Sequence, residues 1–530
     1  MRVVTIPGAV VAALALSLST AGGQAASARE GGTFRVALPA GTLLGIDPAL
    51  DNRFPQLLRP ACGSLVSYPD RPFPDGRRLA PDLAESMPVV SRNGLTYMFT
   101  IRRGARFSDG TPVTARAFAR AIERILAPAM NAPGAGELAA AIVGGEAVLA
   151  GRATRPAGVI ANGRALTLRL TKRTPKLLEL MSETCAVPPN LPVDPEGVKA
   201  PLPSPAPYYV AEYVPNERVV LVGNSFYRGE RPHHVSQIVA DLNVAEDSVV
   251  DEIARGRADW GFITQPVMAD RGAELQRRYG VNKSRFFVKP SGFTRMFVLN
   301  TSRPLFRDNP KLRQAVNFAV DRAALTRELG PLVGSPTDQF LRYRNERIYP
   351  LSGPDLRKAR ALAKGNLRGG KAIVYTKATT VDVAQAQVLQ KNLKAIGLDA
   401  QIEEFPGNLI FEKLATGQND FDIGRIAWGN VNGPVEPSLL GIFDGRTIGR
   451  PDNQNWSYYN SAEFNRRLDR AAILPGSQRY AAYSDLDIWV TKNEAPAVPF
   501  AFLNSVTFVS ARTGCVVLNP FLDVTAVCLK

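Results

Sequence analysis

Hydrophobic and polar residues alternate most regularly just before residue 102. The hydrophobic positions of that segment are Leu95, Tyr97, Phe99 and Ile101. This period of two predicts a strand with one buried face. Asp109 and Gly110 then supply turn chemistry, and Thr114 is placed to accept a hydrogen bond from the free amides of a helix predicted over residues 113–126. The segment therefore predicts a strand, a tight turn and a capped helix.

Similar patterns predict α/β structure along the rest of the chain. Asn309 and Pro310 suit the N-cap and first turn of a helix reaching about residue 327, and Gly397 suits the end of another. The strand, helix and strand predicted across residues 371–404 favour parallel pairing with a right-handed crossover. Other strands are predicted at residues 32–37, 164–170 and 294–300, and another helix at residues 137–149.

Composition indicates a folded protein with more than one domain. Of 530 residues, 45% are hydrophobic and 21% are charged, which is typical of globular chains. The length exceeds what one hydrophobic core usually organises. Lys plus Arg (64) exceed Asp plus Glu (48), for a net charge of +16. The basic residues are scattered without a stripe, so nucleic acid is not an expected partner.

The amino terminus has the pattern of a secretory signal. An uncharged apolar run over residues 10–18 follows Arg2 and leads into small residues, which predicts a signal peptide at residues 1–28. The run is too short to span a bilayer. No cysteine follows it to carry a lipid anchor. We therefore expect a free periplasmic protein.

Four cysteines suit an oxidising compartment and allow three pairings. We favour Cys515 with Cys528, which are close in sequence, and Cys62 with Cys185. A structural role is expected, because the chain has no CxxC motif and its only histidines are the adjacent His233 and His234. Metal-ligand spacing is missing, so we expect no metal site and no cofactor.

The first segment closely resembles a family signature. Its pattern, Y-x-F-x-I-R-x-G-x-x-F-S-D-G-x-P-V-T-A, is similar to that of the family 5 extracellular solute-binding proteins, which serve peptide and nickel ABC importers. Further family blocks follow in the same order. They are LAPDLAES (79–86), NSFYRGERP (224–232), IARGRADWGFI (253–263), LNTSRPLFRDNPKLRQAVNFAVDRAAL (299–325), VLQKNLKAIGLDAQIEE (388–404) and APAVPF (495–500).

The resemblance implies an α/β fold of the two-lobed periplasmic binding protein type (type II, cluster C-like). Such a fold has an extra subdomain in lobe I and a two-strand hinge. The implied function is capture of a peptide-like or other small organic solute, or organic acid, and its delivery to an inner-membrane ABC permease by a monomer. The implied segments are the signal peptide (1–28), lobe I (29–288), lobe II (289–498) and a return to lobe I (499–530).

The resemblance also implies a ligand site. Residues 425–437, RIAWGNVNGPVEP, are similar to the cleft-lining R-x-x-W-x-x-D-Y-x-x-P stretch of peptide binders. There Trp428 would cover an apolar or planar group and Arg425 would bind a carboxylate. Alternatively, Trp428 is a core residue and Arg425 is a solvated surface residue. The candidate ligand-binding residues are Arg425, Trp428, Gly429, Asn430, Asn432 and Glu436.

One position departs from the pattern of peptide binders. Val431 replaces the aspartate that would hold the ligand's amino group, between Asn430 and Asn432. An unpaired ammonium in a closed cleft would cost several kcal/mol. A free peptide amino terminus is therefore disfavoured unless Glu436 substitutes. An acylated peptide, another blocked acid or a neutral solute fits better, and nickel is disfavoured by the few histidines.

Two other functions stay open at the level of sequence. One is a secreted hydrolase acting on a small organic or glycosidic substrate, and the other is a chaperone-like or receptor role. No GxSxG, SxxK or HExxH motif supports nucleophilic or metal-dependent hydrolysis. Paired carboxylates that could cleave glycosides occur in any chain of this length and are not specific. We therefore expect a binding protein, not an enzyme.

Overall fold

The computed structural model describes residues 30–530, except residues 44, 51–54, 73–74, 345, 408, 417–419, 431–436, 451–452 and 475. The predicted signal peptide, Val431, Asn432 and Glu436 lie outside the described residues. No helix within the described part is both long enough and apolar enough to cross a lipid bilayer.

The described residues contain strands in five sheets and helices of 4 to 15 residues. The strands are β1 (Thr33–Ala37), β2 (Val66–Ser67), β3 (Ala80–Pro81), β4 (Val89–Val90), β5 (Thr96–Thr100), β6 (Val159–Asn162), β7 (Ala165–Arg169), β8 (Tyr208–Val214), β9 (Arg218–Gly223), β10 (Gln237–Asp241), β11 (Trp260–Gly261), β12 (Phe286–Leu299), β13 (Gly334–Pro336), β14 (Lys371–Lys377), β15 (Asp399–Phe405), β16 (Ile423–Asn430), β17 (Ala497–Phe508), β18 (Thr513–Gly514) and β19 (Cys528–Leu529).

The helices pack against these sheets. They are α1 (Pro55–Leu58), α2 (Ala115–Leu126), α3 (Ala135–Ala141), α4 (Gly145–Leu149), α5 (Leu177–Glu183), α6 (Val249–Ala254), α7 (Gln265–Tyr279), α8 (Pro310–Ala319), α9 (Arg322–Arg327), α10 (Leu356–Ala363), α11 (Thr380–Lys394), α12 (Leu409–Thr416), α13 (Ala462–Ala472) and α14 (Gly476–Trp489).

Two sheets form the part that we call lobe I. A five-stranded sheet has the order β11-β1-β10-β9-β8, and a four-stranded antiparallel sheet has the order β4-β5-β7-β6. In β5, Tyr97 and Phe99 are buried whereas Met98 and Thr100 are exposed, as the alternation predicts. Each sheet packs on its own hydrophobic core, so lobe I contains two packed units.

The capping predicted for Thr114 is wrong. Helix α2 begins at Ala115, and the Thr114 side chain makes no capping hydrogen bond. The Ala115 amide donates instead to the Gly163 carbonyl oxygen at 2.9 Å. A distant backbone acceptor thus satisfies one of the helix-start amides, which local sequence does not reveal.

Two predicted helices are each split into two shorter ones. The helix expected over residues 137–149 forms α3 and α4, separated near Gly144, whose φ of +80° is left-handed. The helix predicted from Asn309 to about residue 327 forms α8, which ends at Ala319, and α9, which begins at Arg322. The Asp321 side chain then accepts a hydrogen bond from the Ala324 amide at 2.8 Å and caps α9. The Asn309 cap itself is confirmed, since its side chain accepts from the Leu312 amide.

A six-stranded sheet with the order β13-β17-β12-β16-β14-β15 forms the part that we call lobe II. Strands β14 and β15 are parallel and are connected through α11, as predicted. Gly397, at φ +91°, follows that helix in the left-handed conformation. The sheet lies between two large hydrophobic clusters, so both of its faces are buried over the central strands.

The two longest strands connect the lobes. Strands β12 and β17 pair antiparallel from Phe286 opposite Phe508 to Val298 opposite Ala497. Next to β17, Val509 forms a bridge with Trp260 of lobe I. The predicted segment boundaries, after residues 288 and 498, fall inside these strands.

Both predicted cysteine pairs are bonded in the structure. Cys62 and Cys185 are 123 residues apart and join the segment after α1 to the segment after α5. Cys515 and Cys528 are 13 residues apart and join β19 to the residue after β18. The first bond therefore ties together distant parts of lobe I, whereas the second closes a local loop.

Candidate functional site

Strand β16 carries four of the predicted ligand-binding residues. It lies between β12 and β14, with Arg425 opposite Phe297 and Trp428 opposite Thr294. Because side chains alternate along a strand, Arg425 and Trp428 point to opposite faces of the sheet. The structure therefore does not bring these two side chains together on one face.

Arg425 is buried in a cluster of charged and polar side chains. It is 4% exposed and forms an ion pair with Asp382 of α11. Its Nε and Nη2 also donate to Gln385 Oε1 at 3.3 and 3.2 Å. Arg295 of β12 reaches the same partners: its Nη1 donates to Asp382 Oδ1 at 3.0 Å and to Gln385 Oε1 at 2.6 Å. Two guanidinium groups thus share one buried carboxylate.

This environment changes the titration of the cluster. Burial disfavours the charged forms, so it lowers the pKa of Arg295 to about 10 and raises the pKa of Asp382, although each charge partly offsets the effect on the other. Arg425 is consequently neither a solvated surface residue nor a guanidinium without a partner. Its role as a carboxylate anchor for a ligand stays a prediction.

Trp428 lies at the edge of an aromatic cluster in lobe II. Its ring is half-buried and packs edge-on against Trp456, with ring centroids 5.2 Å apart and planes at 88°. Trp456 is 5% exposed and also contacts Phe411. Within the described residues, the Trp456 Nε1 has no hydrogen-bond partner. The position of Trp428 leaves part of its ring accessible to a bound solute.

Gly429 and Asn430 occupy the end of β16. A Cβ atom on Gly429 would lie 2.2 Å from the Gly292 carbonyl oxygen, so the close approach of β12 requires glycine here. Asn430 is opposite Gly292 in the strand register. The predicted residues Asn432 and Glu436 lie outside the described residues.

Sequence reasoning missed a cavity in lobe I. It has a volume of about 150 Å³, and its walls include the Cys62–Cys185 disulfide and residues Ile46, Leu58, Arg59, Tyr68, Glu183 and Leu202. We call it the lobe I cavity. The predicted cysteine pair was its sequence signal, because the cavity walls come from segments that are far apart in the chain.

A buried ionic network supports one wall of the cavity. Arg231, from the NSFYRGERP block, donates through Nε to Asp70 Oδ2 at 2.8 Å and through Nη1 to the Cys62 carbonyl oxygen at 2.9 Å. Burial opposes ionisation of Asp70, but the charges of Arg231 and Arg59 lower its pKa well below the usual range. Burial and the neighbouring Asp70 raise the pKa of Asp523 to about 7. Arg231 is thus already paired with protein groups.

Among the described residues, two ion pairs join the lobes away from β12 and β17. We call them the cross-lobe pairs. Arg479 Nη2 of α14 donates to Glu179 Oε1 of α5 at 3.0 Å, with side chains 13% and 20% exposed. Arg450 and Glu146 are 3.5 Å apart and more exposed. Helix α5 also contributes Glu183 to the lobe I cavity. Lobe II therefore contacts the helix that forms a wall of that cavity.

Residues 78–449 match the family model for bacterial extracellular solute-binding proteins, family 5. The chain belongs to this family. Among curated proteins, this family 5 chain is 22% identical over 441 residues to the oligopeptide-binding protein OppA of Bacillus subtilis, covering 78% of each chain. It is 25% identical over 369 residues to the periplasmic murein peptide-binding protein MppA of Escherichia coli, covering 65% of this chain and 66% of MppA.

Solved structures agree on the fold of this family 5 protein. The clavulanic acid biosynthesis oligopeptide binding protein 2 superimposes with a TM-score of 0.83 at 22% identity, covering 94% of this chain and 96% of that one. The Escherichia coli MppA structure gives a TM-score of 0.74 at 19% identity, covering 95% and 99%. The chain is therefore a two-lobed solute-binding protein of the ABC-transporter type. The hydrolase alternative is not supported, since the family consists of binding proteins.

Proposed function

We propose that this protein captures a small organic solute between lobes I and II in the periplasm and delivers it to an ABC permease of the inner membrane. The observation that carries the proposal is the contact between the lobes at the Glu179–Arg479 pair, because Glu179 lies on α5, which also lines the lobe I cavity. The cavity is lined by residues of lobe I, so a solute that extends from it to lobe II would favour closure of the two lobes.

The solute class follows from the site residues and from the relatives. Related proteins are named for binding oligopeptides, dipeptides, murein peptides and, in one case, probably deoxycholate. Val431 stands where peptide binders carry an aspartate for the ligand's amino group. We therefore favour a peptide-like acid with a blocked amino group, or a neutral solute, with Trp428 against its apolar part and Arg425 as the candidate anchor for its carboxylate.

Native mass spectrometry of the purified protein tests this function directly. We expect a retained small molecule that is released unchanged on unfolding. Titration with a free tripeptide and its N-acetylated form should then give tighter binding of the acetylated form. Preference for the free amine would contradict the proposed solute class, and release of a chemically altered product would contradict binding as the function.

Replacing Trp428 with alanine should weaken solute affinity about tenfold or more, because a buried aromatic anchor is lost. Isothermal titration with the co-purified solute measures the effect. Trp489→Ala is a matched control, since Trp489 is also half-buried and packs against the same hydrophobic cluster. Equal solute affinities of the Trp428→Ala and Trp489→Ala variants would contradict a solute contact at Trp428.

Exchanging the charges of the cross-lobe pair Glu179–Arg479 should test whether this pair stabilises contact between the lobes. Glu179→Arg or Arg479→Glu alone places like charges together and should weaken solute affinity by about threefold to tenfold, with a larger radius of gyration in solution. The double swap should restore both values. Reversing Glu212, which pairs with Arg218 within lobe I at 2.6 Å, is the control. Single variants that bind like wild type would exclude a role of this pair in closure.

A further inference from the structure

The outer face of the four-stranded sheet carries an exposed apolar row. In the strand register Val89 is opposite Met98, Met98 is opposite Thr167, and Thr167 is opposite Ile160. These residues share one face, so the row crosses all four strands. Val89 is 63% exposed, Met98 45% and Ile160 40%, whereas the opposite face packs on the core of this unit.

Exposed apolar side chains are concentrated in this part of the molecule. In the described part of the chain, twelve large hydrophobic residues are exposed. Six of them belong to this sheet or its immediate surroundings, and they are Met87, Val89, Val90, Met98, Val143 and Ile160. Val90 is opposite the buried Tyr97 and so points to the other face of the sheet. Single exposed hydrophobic residues are normal, but the aligned row of Val89, Met98 and Ile160 marks an interaction surface.

Positive charge is concentrated in the same unit. Residues 87–173 contain thirteen Arg and Lys and four Asp and Glu, so this stretch carries +9 of the +16 net charge of the chain. Arg169 is exposed and has the same outward direction in β7 as Thr167. Exposed Arg92 and Arg173 lie beyond the same end of the sheet, where Arg173 Nε donates to the Asn93 carbonyl oxygen at 2.8 Å. The surface is therefore both apolar and basic.

We propose that this face docks on an anionic phospholipid membrane. Aliphatic side chains of the row would enter the interfacial region of the bilayer, and the surrounding arginines would pair with lipid phosphates. An acidic protein would match the charge as well. A bilayer fits better, because the row of Val89, Met98, Thr167 and Ile160 contains no aromatic residue, whereas protein interfaces are anchored by aromatic residues in pockets. The inference rests on the proposed export, since docking would keep the solute-loaded protein beside a membrane permease.

Co-sedimentation of the mature full-length protein with vesicles tests the proposal. We expect binding to vesicles that contain phosphatidylglycerol, little binding to pure phosphatidylcholine, and release at high ionic strength. Combined Met98→Glu and Ile160→Glu substitutions should lower the bound fraction about tenfold, because two carboxylates would face anionic lipid. Ile473→Glu is the matched control, since Ile473 is 57% exposed on lobe II. Arg169→Glu should also weaken binding.

The outcomes separate this inference from the proposed function. Circular dichroism and solute titration of each variant should match wild type, because the substituted side chains point away from the core of this unit. No binding to anionic vesicles, or equal binding by the row variant and the Ile473 control, would overturn membrane docking. Binding to the detergent-solubilised permease but not to protein-free vesicles would overturn it in favour of a protein partner.

Discussion

Replacing Asp382 with alanine is expected to destabilise the protein by about 3–5 kcal/mol, the usual cost of removing one partner from a buried ion pair. Arg295 and Arg425 would both lose their carboxylate, although each is only about 4% exposed. Gln385 would remain as their hydrogen-bond acceptor but supplies no negative charge. Denaturant-induced unfolding followed by circular dichroism measures the change in free energy.

Two variants serve as comparisons for this result. Asp399→Ala, at an exposed carboxylate at the start of β15, should change stability by less than about 0.5 kcal/mol. Arg425→Met should cost less than Asp382→Ala, because Asp382 would keep Arg295 as its partner. If Arg425→Met preserves stability but selectively loses acidic solutes, the guanidinium also serves as a ligand anchor. A neutral effect of Asp382→Ala would mean that this cluster does not stabilise lobe II.

Removing the Cys62–Cys185 disulfide should lower the free energy of unfolding by about 5 kcal/mol in the chain-entropy model, because the bond closes a loop of over a hundred residues in the denatured chain. The double substitution to alanine avoids a free thiol. Removing Cys515–Cys528, which spans 13 residues, should cost about 3 kcal/mol in the same model. Urea unfolding of both variants and wild type gives the comparison.

Removal of the Cys62–Cys185 bond should also change the structure of the lobe I cavity. Cys62 and Cys185 both line it, and the Cys62 carbonyl oxygen accepts a hydrogen bond from Arg231. We therefore expect weaker solute binding after loss of the Cys62–Cys185 bond and unchanged binding after loss of Cys515–Cys528. Equal losses of stability in the two variants would contradict the loop-length explanation.

Membership of the family and much of the local structure could be read from the residues alone. The alternation before residue 102 predicted the burial of β5, and the pattern across residues 371–404 predicted the parallel pair around α11. The burial along β5 depends on the alternation of side chains within one strand. The parallel pair follows from the rule that a strand, helix and strand in succession form a right-handed crossover. The helix splits near Gly144 and Asp321 were missed, although Gly144 and Gly145 have low helix propensity and Asp321 is a good N-cap residue.

The sequence by itself indicated a two-lobed solute-binding protein with two disulfides and a candidate ligand segment that contains Trp428. Only the tertiary structure decided the partners of those residues. Asp382 lies on α11, which connects β14 and β15, and forms an ion pair with Arg425 of β16. Glu179 and Arg479 form an ion pair although they are 300 residues apart in the chain. Side-chain partners across such distances depend on how sheets and lobes pack, and local pattern carries no information about that packing.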